Sequence, residues 1–252
     1  MPLAVRSNLF RFMNRLERIA AYAQGKGYGA ATMQQEVRLL QSLLKAPPRL
    51  AIDIGGNVGN YSAELRRRNP SLEIHIFEPS TTNIDKLALR FGRDPLVALV
   101  PLALSDQSGS ATLFSNEPGS GLGSLTKRNL EHFNIAFETR EAVETIRFEE
   151  YWTKNLGRRV LDMVKIDIEG HELAALSGFG LALNAIRALQ FEFGGCNIDT
   201  RTYFQDFWYL LKKHAFDLYR ITPLGAEAIT TYRESDEFFL VTNYIAANRV
   251  LR

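Results

Sequence analysis

Residues 50–61 read LAIDIGGNVGNY, and this stretch decides the fold. Its first five residues, 50–54, are almost wholly apolar and predict a buried strand. The glycines that follow allow positive φ angles and let the backbone approach a ligand closely. A helix is predicted over 58–68, and the N-terminus of a helix offers free N–H donors. The stretch therefore predicts the start of an α/β domain with a ligand site at the glycine turn.

The glycine turn does not fit the dinucleotide fingerprint G-x-G-x-x-G. Starting from Gly55, that fingerprint needs glycines where Asn57 and Asn60 stand. The turn reads D-x-G-x-x-x-G instead, which suits an amino acid head and a ribose better than a pyrophosphate. The candidate cofactor-binding residues of the turn are Asp53, Gly55, Gly56, Asn57, Gly59 and Asn60.

After residue 61, short apolar runs alternate with helical stretches. Such alternation implies right-handed crossovers and a mostly parallel sheet. The final two strands are joined by too few residues for a helical crossover, so we expect the last strand to run antiparallel near the sheet edge. The pattern predicts a Rossmann-like sheet of seven strands, one of them antiparallel. The predicted strands are 50–54, 72–77, one within 96–104, 160–168, 186–193, 216–221 and 236–245.

Two amphipathic helices are predicted before the first strand, over 3–24 and 30–46, the second ended by Pro47 and Pro48. We expect an N-terminal helical part over 1–48 and the main domain over 49–252. Residues 107–152 hold two β-like runs around a Gly/Ser-rich loop. We interpret them as a β-excursion that carries a mobile lid, Gly119–Ser124, facing the site.

The composition is that of an ordinary globular chain of 252 residues with net charge +2. A single cysteine, Cys196, excludes an intrachain disulfide and a cysteine-built zinc site. No apolar run approaches the ~20 residues of a membrane helix, and arginines interrupt the N-terminus, so no secretory signal is predicted. We therefore expect a cytoplasmic protein. The basic N-terminal segment could contact anionic membrane or nucleic acid, but a solvated helix face is the favoured interpretation.

Polar residues follow the second and third predicted strands. Glu78 ends the second strand, where a carboxylate can accept hydrogen bonds from both hydroxyls of a ribose. Pro79 and Ser80 shape the loop beneath that sugar. After the third strand, Ser105 or Asp106 lies where the exocyclic amine of an adenine would be met.

The fourth predicted strand ends in the densest group of ionisable residues. Asp167, Glu169 and His171 lie two apart, so they share one face if the extended backbone persists. That face is at the carboxyl end of the sheet, where α/β proteins bind ligands. Glu172 is interpreted instead as a stabiliser of the next helix N-terminus.

Four segments in order, DIGGNVGNYS, IFEPS, ALSDQSG and DMVKIDIEGHE, resemble the FkbM-type methyltransferases. The resemblance spans roughly residues 48–195 and is most specific in the K-I-D-I-E-G block. It implies S-adenosylmethionine as cofactor and a hydroxyl of a sugar, glycan or secondary metabolite as acceptor. In the family, the glycine turn and the acid after the second strand hold the cofactor. Those roles fall here on Asp53, Gly55, Asn57, Gly59 and Glu78.

Methyl transfer to an alcohol needs an aligned acceptor oxygen, and a positioned base adds roughly 10²–10⁴-fold. The candidate bases are Asp167, then Glu169 and His171, with Glu192 as a further carboxylate that could converge on the site. Several carboxylates are also a ligand set for Mg²⁺. We nevertheless expect catalysis without a metal. The N-terminal helices are expected to close the pocket or to pair two protomers.

Two other readings of the sequence remain. An NAD(P)-dependent oxidoreductase or epimerase shares the fold class, but the broken glycine fingerprint disfavours it. A non-catalytic binding module is disfavoured by the intact turn glycines and Glu78. The motif N/D-P-P-Y/F that precedes base-amine methylation is absent after the fourth strand. No basic groove rich in aromatics is visible, so no nucleic-acid partner is expected.

Overall fold

The computed structural model describes residues 3–29 and 32–251. Its helices are α1 (Leu3–Ala23), α2 (Met33–Ser42), α3 (Asn60–Arg68), α4 (Thr81–Phe91), α5 (Phe148–Lys154), α6 (Glu172–Gly178), α7 (Cys196–Thr200) and α8 (Phe204–Lys213). Its strands are β1 (Leu50–Ile54), β2 (Glu73–Phe77), β3 (Val97–Val100), β4 (Ala103–Leu104), β5 (Gly109–Ser115), β6 (Thr139–Ile146), β7 (Leu161–Ile166), β8 (Ile186–Phe193), β9 (Phe216–Thr222), β10 (Gly225–Ile229) and β11 (Thr242–Asn248). Short 3₁₀ turns cover Glu131–Phe133, Gly180–Ala185 and Glu234–Asp236.

The main sheet has eight strands in the order β10-β9-β11-β8-β7-β1-β2-β3. β1 is the third strand from the β3 edge and pairs in parallel with β2 and β7. β11 lies between β8 and β9 and runs antiparallel to both. The predicted Rossmann-like, mostly parallel sheet is therefore confirmed, and the glycine turn lies at the carboxyl end of an inner strand.

The predicted count of seven strands is one too few, and two strands rather than one run against the rest. β10 follows β9 through a turn at Pro223 and Leu224 and pairs with it antiparallel at the sheet edge. β11 is accordingly the third strand from the edge. The crossover from β8 to β9 leaves a space between these two parallel strands, and β11 fills it.

The last strand begins at Thr242, whereas the sequence predicted a strand over 236–245. The residues before it have a different role. The carboxylate of Glu237 accepts hydrogen bonds from the backbone N–H groups of Phe204 and Gln205, both at 2.8 Å. The N–H groups in the first turn of a helix have no partner within it, so Glu237 caps the N-terminus of α8. The residues just before β11 thus hold a helix end and are not part of the strand.

The sheet is covered on both faces because the side chains of β1 alternate between them. Leu50, Ile52 and Ile54 belong to one apolar cluster, which includes buried residues of α5, α6 and α8. Ala51 belongs to the other cluster, which includes buried residues of α2, α3 and α4. The second predicted N-terminal helix is thus packed into the layer that covers the glycine turn, whereas α1 contributes to neither cluster.

The predicted β-excursion is present as a second sheet. β4, β6 and β5 form it in that order, with β5 and β6 antiparallel over seven residue pairs. The loop between them returns to the sheet through a bridge between Phe114 and Ser124. Among the described residues, no helix is both long and apolar enough to span a membrane.

Candidate functional site

A cavity at the carboxyl ends of β1, β2 and β7 holds most of the predicted site residues; we call it the inner cavity. The space between its walls, counted together with the solvent at its mouth, is about 690 Å³. Seven of its lining residues have large apolar side chains, which suit contact with the flat ring of an adenine. The apolar side chains are Ile54, Phe77, Leu102, Leu104, Leu113, Leu125 and Ile168.

Glu78 lies in the inner cavity and is buried. Its carboxylate accepts hydrogen bonds from the N–H groups of Asn57, at 2.8 Å, and Ser80, at 2.9 Å. Burial raises the pKa of Glu78, while these two backbone donors oppose the rise. Each carboxylate oxygen keeps a lone pair, so the group can still accept hydrogen bonds from a vicinal diol.

Two residues that line the inner cavity each have a buried polar atom without a hydrogen-bond partner among the described residues. These atoms are Oδ1 of Asn57 and Oγ of Ser80. Unsatisfied buried polar atoms are rare in native proteins, and a bound ligand is one way to satisfy them. Together with Glu78 and the apolar wall, they fit an adenosine with its ribose hydroxyls.

The turn glycines differ in their surroundings. A Cβ at Gly55 would lie 1.9 Å from the carbonyl oxygen of Asp167, and one at Gly56 would lie 2.1 Å from Ile76. Gly59 has φ of 80° and packs against Phe91. Gly55 lines the inner cavity, whereas Gly59 lies outside it and sets the turn.

Asp53 is fully buried beneath the turn and does not line the inner cavity. Its Oδ2 accepts a hydrogen bond from Ser62 at 2.6 Å, and its Oδ1 lies 3.6 Å from Nζ of Lys165. Lys165 also lies 3.2 Å from the carbonyl oxygen of Gly55. Burial opposes the charge on Lys165, but Asp167 and Asp53 outweigh it and raise its pKa. Asp53 thus holds an ammonium under the glycine turn.

Ser105 and His171 contact each other rather than standing apart. Oγ of Ser105 donates to Asp106 at 3.0 Å and lies 2.9 Å from Nε2 of His171. Burial lowers the pKa of His171, and Asp106 opposes this. His171 lines the inner cavity, whereas Ser105 and Asp106 lie behind its wall. Pro79 lines the cavity as well.

A second cavity, the outer cleft, adjoins the inner cavity. Its walls are mainly polar, and α2 forms one of them. Gly55, Asn57, Gly121, Asp167 and Glu169 line both spaces, so these residues mark the passage between them. The residues that line the outer cleft alone are Gly29, Thr32, Met33, Glu36, Gly56, Val58, Asn60, Tyr61, Lys165, Glu192 and Asn243.

The expectation that an extended backbone places Asp167, Glu169 and His171 on one face is wrong. β7 ends at Ile166, and Glu169 has φ of 56° in a turn. This turn is held by Glu172, whose carboxylate accepts hydrogen bonds from Ile168 N–H at 2.9 Å and Gly170 N–H at 3.1 Å. The turn brings Asp167 and Glu169 to the passage, while His171 reaches only the inner cavity.

Glu169 forms an ion pair with Arg128, and Ser124 Oγ donates to its backbone carbonyl at 2.8 Å. Burial and the neighbouring Asp167 raise the pKa of Glu169 to about 7, and Arg128 opposes the rise. A carboxyl with this pKa accepts a proton efficiently at neutral pH. Asp167 is more exposed and lies 3.3 Å from Nζ of Lys165.

Glu192, on β8, lies near Glu169 and Cys196, with one possible ligand atom of each residue within 4.8 Å of the others. Burial and the acids Asp167 and Glu169 raise the pKa of Glu192 well above its usual range. Burial likewise raises the pKa of the Cys196 thiol. Mg²⁺ prefers oxygen donors and water, whereas one of these three groups is a thiol and another is a carboxylate already paired with Arg128. This donor set does not fit a magnesium site.

Three functional candidates were missed by the sequence reading. Arg128 comes from the excursion, and Glu36 comes from α2. Lys165 is part of the quoted K-I-D-I-E-G block, but only its contacts show that it connects the turn with Asp167. Glu36 accepts hydrogen bonds from Gln190 at 2.7 Å and Asn243 at 3.0 Å. The sequence indicates Glu36 only as an acid that lies beside the apolar residues of a predicted helix.

The parallel sheet, the D-x-G-x-x-x-G turn and the acid after β2 define a Rossmann-like methyltransferase. Comparison with known proteins agrees. A sequence profile described as "Methyltransferase FkbM domain" matches residues 53–225. The chain therefore belongs to the FkbM methyltransferase domain family, and S-adenosylmethionine is its methyl donor.

Three individual proteins illustrate the likeness. The 2-O-methyltransferase NoeI of Sinorhizobium fredii is 24% identical over 186 residues, which is 70% of this chain and 76% of NoeI. The hexuronic acid methyltransferase AglP of Haloferax volcanii is 26% identical over 53% of this chain and 51% of AglP. The crystal structure of the plantazolicin methyltransferase BamL with SAH shares the fold, with TM-score 0.52, 10% identity and coverage of 87% of this chain and 86% of BamL.

Proposed function

We propose that this enzyme transfers the methyl group of S-adenosylmethionine to a hydroxyl oxygen of a neutral, polyhydroxylated acceptor such as a sugar unit of a glycan. The observation that carries the proposal is the pair of adjoining spaces. The inner cavity has an apolar wall and Glu78, and the outer cleft is polar. Asp167 and Glu169 stand where the two meet, which is where a methyl group would pass.

Residues of the inner cavity would hold the cofactor. The apolar wall would contact the adenine, Glu78 the ribose hydroxyls, and Gly55 and Asn57 the amino acid part. When bound, the sulfonium supplies an electrophilic methyl group. The protein must then hold the acceptor oxygen in line with it, at a near-attack distance.

We assign the general base to Glu169. Glu169 would accept the proton of the acceptor hydroxyl while that oxygen takes the methyl group from the sulfonium, whose sulfur would keep the electron pair of the broken carbon–sulfur bond. Glu169 lies at the passage, is partly buried and has a pKa of about 7. Asp167 is paired with Lys165 and more exposed, and we assign it to orienting the acceptor. His171 lies on the cofactor side, so we assign it to that wall.

The chemistry of the outer cleft supports a neutral acceptor. Four acids line it, Glu36, Asp167, Glu169 and Glu192, against one cation, Lys165. Carboxylates and amides are good partners for sugar hydroxyls, which donate and accept hydrogen bonds. An acceptor with its own carboxylate would meet like charge in a partly desolvated cleft. The 2-O-methyltransferase activity in the name of NoeI supports oxygen as the methylated atom.

The test is a transfer assay with S-adenosylmethionine labelled in its methyl group. Neutral oligosaccharides, uronic-acid oligosaccharides, hydroxylated polyketides and a primary amine serve as acceptors. The expected product is a methyl ether on the neutral oligosaccharide. Variants of Glu169, the assigned base, should not form it. Labelled product from the amine alone would contradict the proposed chemistry, and cofactor binding without transfer to any class would favour a non-catalytic module.

A further inference from the structure

The first helix, α1, is exposed along most of its length. Every residue from Ser7 to Ala20 is exposed, and neither apolar cluster of the domain includes a residue of α1 from the part whose side chains are described, residues 7–23. Large apolar side chains nevertheless recur along it. Leu9, Phe12, Met13, Leu16 and Ile19 are between 46% and 67% exposed. A soluble domain rarely leaves so many apolar side chains together in water, so this face marks an interaction surface.

The helix has two chemically distinct faces. At 100° per residue, the five apolar side chains fall within one third of the circumference. Arg11 and Arg18 fall on the opposite side and Arg15 lies at its border, while the exposed Phe10 lies outside the apolar third. Glu17 is the only acid of α1. This arrangement, with low overall hydrophobicity and an arginine-rich polar face, is that of helices which lie in the interface of a bilayer.

We propose that α1 docks this enzyme on an anionic lipid surface, with its apolar face inserted among the acyl chains. Charge complementarity favours this occupant over a second copy of the chain. A second copy docked on the apolar face would leave the arginines on the far side of each helix without anionic partners, whereas anionic headgroups attract each arginine by about fivefold in binding. The proposal does not depend on the proposed acceptor.

The attachment of α1 places the surface near the site. Gly25 packs against the backbone of Ile221, and Gly27 N–H donates to Oγ1 of Thr242 at 3.2 Å. The ring of Tyr22 contacts that of Tyr28 edge-on, 5.3 Å between centroids. Gly29, six residues after the end of α1, already lines the outer cleft. A docked helix would hold the cleft close to the lipid surface.

The experiment is flotation of the full chain with vesicles of phosphatidylcholine alone or mixed with phosphatidylglycerol. We expect binding to the mixed vesicles that weakens with added salt, because salt screens the arginines. Replacing Arg11, Arg15 and Arg18 by Gln should weaken it about a hundredfold. The pair Phe12→Glu and Leu16→Glu should abolish it, and Leu89→Glu, which changes a leucine 90% exposed on α4, should leave it intact.

Cofactor affinity is measured on each variant to show that the domain is folded. No flotation of the wild-type chain with either vesicle would overturn the proposal. Concentration-dependent dimers that the Phe12→Glu, Leu16→Glu variant dissociates, without vesicle binding, would assign the apolar face to a second copy and also overturn it. Equal binding to both vesicle types would overturn the charge argument.

Discussion

The ammonium nitrogen of Lys165 lies 3.3 Å from Oδ2 of Asp167, so the acid nearest the end of β7 already has a cationic partner. Glu169, two residues later, has a pKa raised to about 7 by burial and by Asp167, despite its pairing with Arg128. The two acids at the passage are therefore not equivalent. Substitution of Glu169 should therefore change the rate of methyl transfer without changing cofactor affinity, and both quantities can be measured.

Glu169→Gln should lose about 10²–10⁴-fold in kcat while keeping its affinity for S-adenosylmethionine, because only the proton acceptor is removed. In the wild type, kcat/KM should rise with pH and level off above about 7, since the base must be deprotonated. The variant should lack this step. Steady-state rates from pH 5.5 to 9 test both expectations.

Asp199→Asn is the matched control, since Asp199 is the other acid paired with Arg128 but does not line either space. If Asp199→Asn lost kcat equally, the activity would depend on how Arg128 is positioned, and Glu169 would not be the base.

EDTA and added Mg²⁺ test whether methyl transfer needs a metal. Activity that EDTA abolishes and Mg²⁺ restores would contradict the metal-free expectation.

Glu78→Ala should weaken cofactor binding. A micromolar dissociation constant corresponds to about 8 kcal/mol, and a hydrogen-bonded charged partner contributes roughly 1.5–3 kcal/mol of it. A loss of about ten- to a hundredfold is therefore expected by calorimetry. Glu73→Ala, at the opposite end of β2 and paired with Arg159, should leave affinity unchanged. NADH binding without any response to S-adenosylmethionine would contradict the cofactor site.

The Gly119–Ser124 segment should become ordered when ligands bind. Gly119 and Gly121 line the inner cavity, and Gly121 also lines the outer cleft. Its far end is tied to distant elements, through Ser124 to Phe114 and Glu169, whereas Ser120 bonds to the neighbouring Asn116 and Glu117 within the same loop. Hydrogen exchange of its amides should slow when cofactor product and acceptor are both added. The amides of β8, in the middle of the main sheet, provide the internal reference; a segment that exchanges equally slowly in both states would not be a lid.

The parts of the site that were predictable from sequence depend on local pattern. The strand, the glycine turn and Glu78 lie within 29 residues, and their order alone places them at neighbouring strand ends. The reading of Asp167, Glu169 and His171 failed because it assumed that the extended backbone continues. The turn at Glu169 depends on Glu172, whose carboxylate holds the N–H groups of Ile168 and Gly170.

Other features depend on contacts between distant segments, which periodicity does not encode. Glu36 meets Asn243, 207 residues later, and Arg128 meets Glu169 across the excursion. β10 was missed because its five residues, GAEAI, are mixed in polarity and lie at the sheet edge, where only one side is paired. The domain boundary at residue 48 and the cytoplasmic location stay predictions.

The acid that holds this turn should govern the pH dependence of stability. Glu172 is fully buried, and its Oε2 has no hydrogen-bond partner within residues 3–29 and 32–251. Burial raises the pKa of Glu172 to about 7 from an ordinary value of 4.5, while the backbone donors oppose the rise. The folded protein therefore binds this proton more tightly than the unfolded chain does. The free energy of unfolding should fall as pH rises from about 4.5 to 7, by an amount on the order of 3 kcal/mol from this group.

Glu172→Gln should remove that slope. The amide oxygen can still accept from Ile168 and Gly170, and no charge is buried at neutral pH. The variant should match the wild type near pH 5 and be more stable at pH 8, as measured by urea unfolding at each pH. Glu144→Gln, on the exposed side of β6, controls for the loss of one negative charge. If the wild type and Glu172→Gln differ by the same free energy at every pH, Glu172 is ionised in the folded state and the turn is held by a buried charge.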